Sequence, residues 1–147
     1  MVWFVDTTIE AKPMVVSNWT VKEASGNFCT RGGRFGAHSS NEDMGPPYYG
    51  KLTFITFFNA GVQVLDIRDP YQPKEVGYFI PPISEATVAR CRTVEGKQVC
   101  SNTVIQSNNA ETDDRGYVYV ADRSNTGLHI LELTGEARAI AGLPPVK

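Results

Sequence analysis

The sequence lacks the features that assign a chain to a function class directly. Its longest apolar runs, such as residues 52–58, are far shorter than the roughly 18 residues of a membrane-spanning helix. It has no excess of basic charge, since 14 Lys and Arg stand against 16 Asp and Glu for a net charge of −2. A near-neutral chain has no field for capturing nucleic acid non-specifically. We therefore expect neither a membrane span nor a nucleic-acid partner.

The N-terminal residues of this sequence do not match the pattern of a secretory signal. The first residues, 1–6, form a short apolar run closed by an acid, without the basic head and small-residue cleavage site of a secretory signal. This start is typical of the middle of a β-strand. Residues 139–147 are mostly small and include Pro144 and Pro145, which predicts a frayed C-terminal tail. Together these ends predict the C-terminal portion of a longer protein.

No segment shows sustained helical periodicity. Apolar residues alternate at Val62, Val64 and Ile67, as in a half-buried strand. The 13 glycines and 9 prolines stand between the strand-like segments. The sequence therefore predicts an all-β fold.

Cysteine is scarce, but two of the three cysteines are placed to form a disulfide. The segment 91–100 predicts a hairpin centred on Glu95 and Gly96, and counting outward puts Cys91 opposite Cys100. In such a non-hydrogen-bonded pair the Cα atoms are ~4.5 Å apart, which is within disulfide range. Closing a loop of about ten residues adds roughly 2.5–3 kcal/mol on chain-entropy grounds.

The predicted disulfide also bears on localisation. Disulfides persist in oxidising compartments, so this pair predicts a secreted or periplasmic protein. Reduced thiols and metal ligation are the alternatives, and the second is weaker because no histidine stands at ligand spacing nearby. Cys29 is left over, and we expect it to be a small core residue.

Internal repeats are the most informative feature of the chain. Residues 61–73 align with residues 1–13, and residues 127–133 align with residues 61–67. Each copy has a strand that ends in an acid, and the first two copies continue through a proline-containing loop into another strand, at 14–19 and 75–80. In the second and third copies an Asn-x-Gly turn comes before the acid-ending strand, and an apolar strand, at 52–58 and 117–121, comes before the turn. Residues 35–43 align with residues 106–114, which adds a strand at the start of each unit.

Four short strands per tandem unit are typical of β-propeller blades. The sequence predicts four-stranded antiparallel blades in a partial propeller of two to three blades. Residues 1–138 form this incomplete propeller, with repeat units at roughly 1–33, 34–82 and 101–138, an inserted hairpin at 88–101, and a tail at 139–147.

The repeated phrase resembles a known family. Residues 61–78, which include Asp-Ile-Arg-Asp-Pro-Tyr-Gln-Pro, are similar to the Gly-Leu-x-Val-x-Asp-Ile-x-Asp-Pro-x-x-Pro phrase of LVIVD-repeat proteins. Residues 114–133 are similar to the last blade of such proteins. The resemblance implies a bacterial or archaeal propeller, often exported, but it implies no particular activity.

The number of repeats predicts the partners. Two to three blades are too few for a propeller, which closes with four to eight. Unclosed blades leave sheet edges and faces uncovered. We therefore expect the partners to be the remaining blades of a larger propeller or further copies of this chain.

The first strand of a blade lines the central channel, so its polar residues are site candidates. A divalent metal ion is the possible cofactor, because imidazole and carboxylate groups suit transition metals. The candidate metal ligands are His38, Glu42 and Asp113, and the candidate channel or ligand contacts are Asn41, Asn108, Asn109 and Glu111. The alternative is that His38 is a structural histidine in a tight turn and that residues 113–116 form a solvated β-turn.

Two function hypotheses follow. The first is a non-enzymatic propeller module for binding or assembly, since the sequence contains no assembled catalytic set. The second is a metal-dependent propeller enzyme, similar to the selenium-binding proteins, with a channel site around His38. We favour the first and name no catalytic residue.

Overall fold

The computed structural model describes residues 1–43 and 45–146. The protein is all-β: in this part of the chain, ten strands form four small antiparallel sheets, accompanied by one short α-helix and one 3₁₀ turn. The strands are β1 (Val2–Asp6), β2 (Met14–Trp19), β3 (Leu52–Thr56), β4 (Val62–Asp66), β5 (Lys74–Phe79), β6 (Cys91–Val94), β7 (Lys97–Cys100), β8 (Ser107–Thr112), β9 (Tyr117–Asp122) and β10 (Leu128–Glu132); the helix α1 is Gly135–Ala141 and the 3₁₀ turn is Glu23–Ser25.

Strands that follow one another in the chain pair with one another. We call β1-β2 sheet I, β3-β4-β5 sheet II and β8-β9-β10 sheet III; β6-β7 is a separate hairpin. The predicted strands at 52–58, 75–80 and 117–121 match β3, β5 and β9 within two residues at either end, and the prediction for β2 is confirmed at both ends.

The sheets have fewer strands than the four that the sequence predicts. In sheet II, the expected first strand pairs with β3 and its C-terminal extension as the isolated bridges Ser40↔Ile55 and Phe35↔Phe58, and not as a continuous ladder. Sheet III has no fourth strand within the described residues, because the chain enters α1 soon after β10.

Two hydrophobic cores join the three sheets. The first lies between sheets II and III and contains Leu52, Phe54, Val118 and Val120 together with Ala137 of α1. The second lies between sheets I and II and is built around Ile55, Phe57 and Leu65, with Val2 and Phe4 of β1 packed against it. Sheet II is therefore covered on both faces, which explains why β3 is buried along its whole length.

The predicted C-terminal tail is wrong over its first residues. Residues 139–141 belong to α1, whose Ala137 and Ala141 are buried against sheet II. Small side chains allow this close approach: a Cβ on Gly77 of β5 would be 4.0 Å from the Cβ of Ala137. The helix ends at Gly142 with a φ of +76°. Seven residues are too few for helical periodicity to show in a sequence. Lys147 lies outside the described residues.

The predicted hairpin and disulfide are confirmed. Cys91 lies opposite Cys100, the two are joined by an S–S bond, and their Cα atoms are 3.9 Å apart. Glu95 and Gly96 both have positive φ values, as a two-residue hairpin turn requires. Every residue of β6 and β7 is exposed, so the hairpin projects from the body of the protein. Cys29, however, is exposed, so its prediction as a core residue is wrong.

The Asn-x-Gly turns tie distant loops to the sheets. Asn59 is buried, and its Nδ2 donates hydrogen bonds to the carbonyl oxygens of Phe28 at 2.7 Å and Gly32 at 3.0 Å. In the corresponding turn, Nδ2 of Asn125 donates to the carbonyl oxygen of Ala86 at 3.0 Å. Each asparagine thus fixes the segment of chain that comes before its own sheet.

Candidate functional site

Three side chains of the predicted channel region converge on one backbone carbonyl. Oγ of Ser39 and Oγ1 of Thr56 donate hydrogen bonds to the carbonyl oxygen of Asn108 at 2.9 and 2.7 Å. Nδ1 of His38 lies 2.7 Å from the same oxygen. The predicted first strand of sheet II is thereby tied to β8 of sheet III.

The contact of His38 shows which nitrogen of its imidazole ring carries a proton. A carbonyl can only accept a hydrogen bond, so Nδ1 must carry a proton. In the neutral ring, Nε2 then has a free lone pair, which is the arrangement of many metal-binding histidines. The exposed ring also packs edge-on against Phe58, with 4.7 Å between the ring centroids.

Asn41 has a structural role. Its side chain is buried, and Oδ1 accepts hydrogen bonds from the backbone N–H of Phe54 at 3.0 Å and from Oγ1 of Thr53 at 3.3 Å. Its Nδ2 donates to the carbonyl oxygen of Asp43 at 2.9 Å. The amide therefore satisfies backbone groups where the first strand separates from β3.

Glu111 also holds the backbone of the loop that follows Asn41. Its carboxylate accepts hydrogen bonds from the backbone N–H groups of Glu42 at 3.2 Å and Asp43 at 3.4 Å. Oγ1 of Thr112 donates to the carbonyl oxygen of Asp43 at 3.3 Å. Glu42 enters this network through its backbone, and its side chain is exposed.

Asp113 organises the turn between β8 and β9. Its carboxylate accepts two hydrogen bonds from the guanidinium of Arg115, the closer at 2.6 Å, and one from the hydroxyl of Tyr119 at 3.1 Å. It also accepts from the backbone N–H groups of Arg115 and Tyr117. Desolvation, the largest influence, raises the pKa of Asp113, but the hydrogen bonds from Arg115, Tyr117 and Tyr119 outweigh it and leave the pKa below its ordinary value.

Asn109 is exposed, and its Oδ1 accepts a hydrogen bond from Nδ2 of the neighbouring Asn108. His38 and Asn109 lie near equivalent points of the two sheets, because His38 donates its backbone N–H to Thr56 of β3 and Asn109 pairs with Ala121 of β9. An irregularity in the pairing occurs at this point in β8.

The predicted metal ligands are not brought together. Within residues 1–43 and 45–146, no group of three or more His, Cys, Asp and Glu side chains is placed to hold a metal ion. Asp113 uses both carboxylate oxygens in its own turn. The metal-dependent hypothesis stays a prediction.

Two exposed apolar surfaces, one at each end of the stack of sheets, were not identified from the sequence. Sheet I has an outward surface formed by Trp3 and Val5, which are 58% and 47% exposed; we call this the N-terminal face. Sheet III has an outward surface formed by Leu128 and Ile130, which are 62% and 61% exposed; we call this the C-terminal face. The apolar residues of β1 and β10 fall on both faces of their strands, which is typical of a sheet covered on both sides, but this pattern does not show which face lacks a neighbour.

The aromatic pair that follows Pro46 and Pro47 is divided between the interior and the surface. Tyr48 is buried in the first core, whereas Tyr49 is 75% exposed. Met44, which precedes this segment, lies outside the described residues.

Comparisons with known proteins leave the identity open. No protein-family model, no curated protein and no solved structure matches the chain. The resemblance to LVIVD-repeat proteins therefore stays a prediction. No helix among the described residues has both the length and the apolar character needed to cross a membrane.

Proposed function

We propose that this chain is a non-enzymatic repeat module of the β-propeller type, which works by binding or assembly through the apolar faces at its two ends. The observation that carries this proposal is the exposure of residues on the end sheets whose repeat counterparts are buried in the middle sheet.

The C-terminal face exposes residues whose counterparts are covered. In the repeat alignment, Leu128 and Ile130 of β10 correspond to Val62 and Val64 of β4. Val62 and Val64 are only 2% and 7% exposed, because sheet III packs against them. Sheet III thus presents to solvent the kind of surface that sheet II buries against the next sheet.

The N-terminal face shows the same difference. Trp3 and Val5 of β1 correspond to Gln63 and Leu65 of β4, which are 3% and 0% exposed. Leu65 is covered from the side of sheet I, in the core to which β1 contributes Val2 and Phe4. Sheet I therefore lacks, on its outer side, the neighbour that sheet II has.

The two faces are complementary in kind. Sheet II meets sheet I on one face and sheet III on the other, so a further unit of the same design could continue the stack at either end. Large exposed apolar surfaces mark interaction sites, and unfinished repeat arrays expose such surfaces. The further units are the remaining blades of a larger LVIVD-like propeller or other copies of this chain.

We place the module outside the cytoplasm. The Cys91–Cys100 disulfide supports this location, because cytosolic reductants keep most thiols reduced.

The experiment is sedimentation velocity of the purified chain over a wide range of concentrations. We expect the average mass to rise with concentration, and Leu128→Asp or Trp3→Asp to weaken the association at least about tenfold, since burial of one large apolar side chain contributes about 1.5–3 kcal/mol. The matched control is Ile83→Asp, because Ile83 is 61% exposed but lies outside both faces. A chain that stays monomeric at all concentrations, or an Ile83→Asp effect as large as the other two, would contradict the proposal.

A further inference from the structure

Among the described residues, the outer edge of β10 is not paired with another strand, whereas the corresponding edges of the equivalent strands β1 and β4 are paired. β10 is the edge strand of sheet III in the described part of the chain. Its repeat counterparts, β1 and β4, pair on the corresponding side with β2 and β5. Sheet III therefore has the first three strands of its unit and a free position beside the third.

The hydrogen-bond pattern identifies the free backbone groups. Asp122 donates its backbone N–H to Gly127, and Leu133 donates to Gly116, so the odd-numbered residues of β10 bond to β9. In an antiparallel ladder the alternate residues then direct their N–H and C=O groups to the opposite edge. These residues are Leu128, Ile130 and Glu132. Their counterparts in β4 lie opposite Phe79, Gly77 and Lys74 of β5.

An apolar groove runs beside this edge. It has a volume of about 410 Å³ and lies between β5 and β10, with Val76 and Phe79 on one side and Leu131 on the other. Its lining includes Val64 and Val118, which belong to the core between sheets II and III. The groove is thus continuous with an interface that the fold already uses.

One side chain in this region is left without a partner. Nε2 of His129 is buried and has no hydrogen-bond partner among the described residues, and the imidazole ring lies 5.6 Å from the ring of Phe79. His129 is thus half-buried, with its ring near β5.

We propose that the edge of β10, with its groove, binds an extended peptide strand from a partner protein by adding it to sheet III. The strand runs antiparallel to β10 and bonds to the backbone of Leu128, Ile130 and Glu132. Its alternate apolar side chains enter the groove beside β5. The chemistry of β5 (Lys-Glu-Val-Gly-Tyr-Phe) defines the type of strand. A basic residue lies opposite the acid that ends the neighbouring strand, and apolar residues follow it.

Several observations favour a peptide strand over other occupants. Unpaired strand edges are templates for strand addition, in which the backbone provides affinity and side-chain pockets provide specificity. In sheet II the acid Asp66 lies opposite Lys74. The hydrogen bond from Arg68 is the main cause of the lowered pKa of Asp66; desolvation opposes it, and the charge of Lys74 lowers the pKa further. Glu132 is the counterpart of Asp66, and its carboxylate pairs with Arg138 at 3.1 Å as that of Asp66 pairs with Arg68 at 2.7 Å. A basic residue at that end of the incoming strand would therefore lie beside an arginine-paired carboxylate, as Lys74 does in sheet II.

The proposal rests on the repeat interpretation of the proposed function, but it concerns a different surface. End-face assembly uses the side chains of Trp3 and Leu128, whereas strand addition uses the backbone edge of β10. The test is therefore made in the Trp3→Asp chain, in which end-face assembly is disabled. Peptide binding at the edge of β10 can then be measured whether or not the wild-type chain assembles through its end faces.

The probe is a synthetic peptide of residues 74–80, acetylated and amidated, titrated into the Trp3→Asp chain by calorimetry and by amide NMR. We expect saturable binding, with the largest shifts at the amides of Leu128, Ile130 and Glu132. Adding Ile130→Pro should weaken binding at least about tenfold, because it removes an edge N–H that β9 does not use and obstructs the new ladder. The control is Ile130→Val, which keeps the N–H and should bind within about twofold.

Three outcomes would overturn the proposal. The first is no saturable binding up to the solubility limit of the peptide. The second is equal binding by the Ile130→Pro and Ile130→Val chains, which would place the peptide elsewhere, for instance on the outer edge of β5. The third is a dimer of the Trp3→Asp chain that dissociates on Ile130→Pro, which would make a second copy of this chain the occupant of the edge.

Discussion

The hydroxyl of Tyr48 donates a 2.6 Å hydrogen bond to the backbone carbonyl of Asp113, and so joins the loop before β3 to the turn between β8 and β9. Tyr48 is 1% exposed and packs edge-on against Phe54. Burial, followed by the nearby carboxylates of Asp113 and Asp114, raises the pKa of Tyr48 to about 12. The phenol therefore resists ionisation more strongly in the folded protein than in the unfolded chain.

This difference predicts an alkaline loss of stability. The unfolded tyrosine ionises near pH 10, before the folded one. The stabilisation is thus complete below pH 10 and is lost as the pH rises through about 12, by roughly 2–3 kcal/mol in total. Tyr48→Phe should remove most of this dependence and lower the free energy of unfolding at pH 7 by about 1 kcal/mol, because the Asp113 carbonyl loses its shorter hydrogen bond and keeps the one from the Gly116 N–H at 3.4 Å.

Denaturant unfolding between pH 8 and pH 12 is the measurement. Tyr49→Phe is the matched control, because Tyr49 is 75% exposed and should leave the profile unchanged. An identical alkaline profile for wild type and Tyr48→Phe would show that Tyr48 is not the responsible group.

A second prediction concerns the asparagines of the two Asn-x-Gly turns. Asn59→Ala leaves two carbonyls, those of Phe28 and Gly32, without their donor in a buried setting. We expect the free energy of unfolding to fall by about 2–3 kcal/mol. Asn125→Ala removes one exposed hydrogen bond and places alanine at a φ of +64°, so we expect a loss of about 1 kcal/mol.

Urea unfolding of both variants provides the comparison. Equal losses, or a larger loss for Asn125→Ala, would show that burial of the amide does not set the strength of these contacts.

The disulfide gives a third prediction. Because β6 and β7 are exposed along their whole length, reduction should loosen the hairpin without unfolding sheet II. Amide exchange of residues 91–100 should rise at least about tenfold, while the buried strands β3 and β4 keep their protection. The double variant Cys91→Ser, Cys100→Ser should reproduce the reduced state. Loss of protection in β3 would mean that the hairpin supports the whole fold.

The metal-dependent alternative gives a fourth prediction. If His38 binds a divalent metal ion through Nε2, His38→Ala should abolish metal uptake, whereas a non-enzymatic binding module should have the same metal content with or without this histidine. Elemental analysis after loading with zinc or manganese measures this, and His129→Ala is the control for loss of a histidine. Stoichiometric metal in the wild type that disappears only in His38→Ala would favour the alternative.

Local patterns in the sequence predict most of the strands and the disulfide. The alternation in β4, the register of the 91–100 hairpin and the pairing of Cys91 with Cys100 follow from nearest-neighbour geometry. The short helix α1 does not, because its seven residues acquire their role only by packing Ala137 and Ala141 on sheet II.

The candidate site is harder to predict because it depends on partners distant in the chain. Asn41 and Asp113 are polar residues in the segments predicted to line the channel, as expected of ligands. In the structure, however, the side-chain oxygens of Asn41 and Asp113 accept hydrogen bonds from the Phe54 N–H and the Arg115 guanidinium, respectively. Which apolar face of a sheet lacks a neighbour is likewise a property of the tertiary arrangement. Leu128 and Val62 occupy equivalent positions in the predicted repeat, yet Val62 is buried between sheets II and III whereas Leu128 is exposed.

The most direct test of end-face assembly is to mix two chains that have different blocked faces. Trp3→Asp blocks the N-terminal face and Leu128→Asp blocks the C-terminal face, so each chain alone should be a monomer of 16.2 kDa in sedimentation velocity. Together they should form a one-to-one dimer of about twice that mass, because the intact C-terminal face of one chain meets the intact N-terminal face of the other. A mixture that stays monomeric at concentrations where the wild type associates would contradict assembly through these two faces.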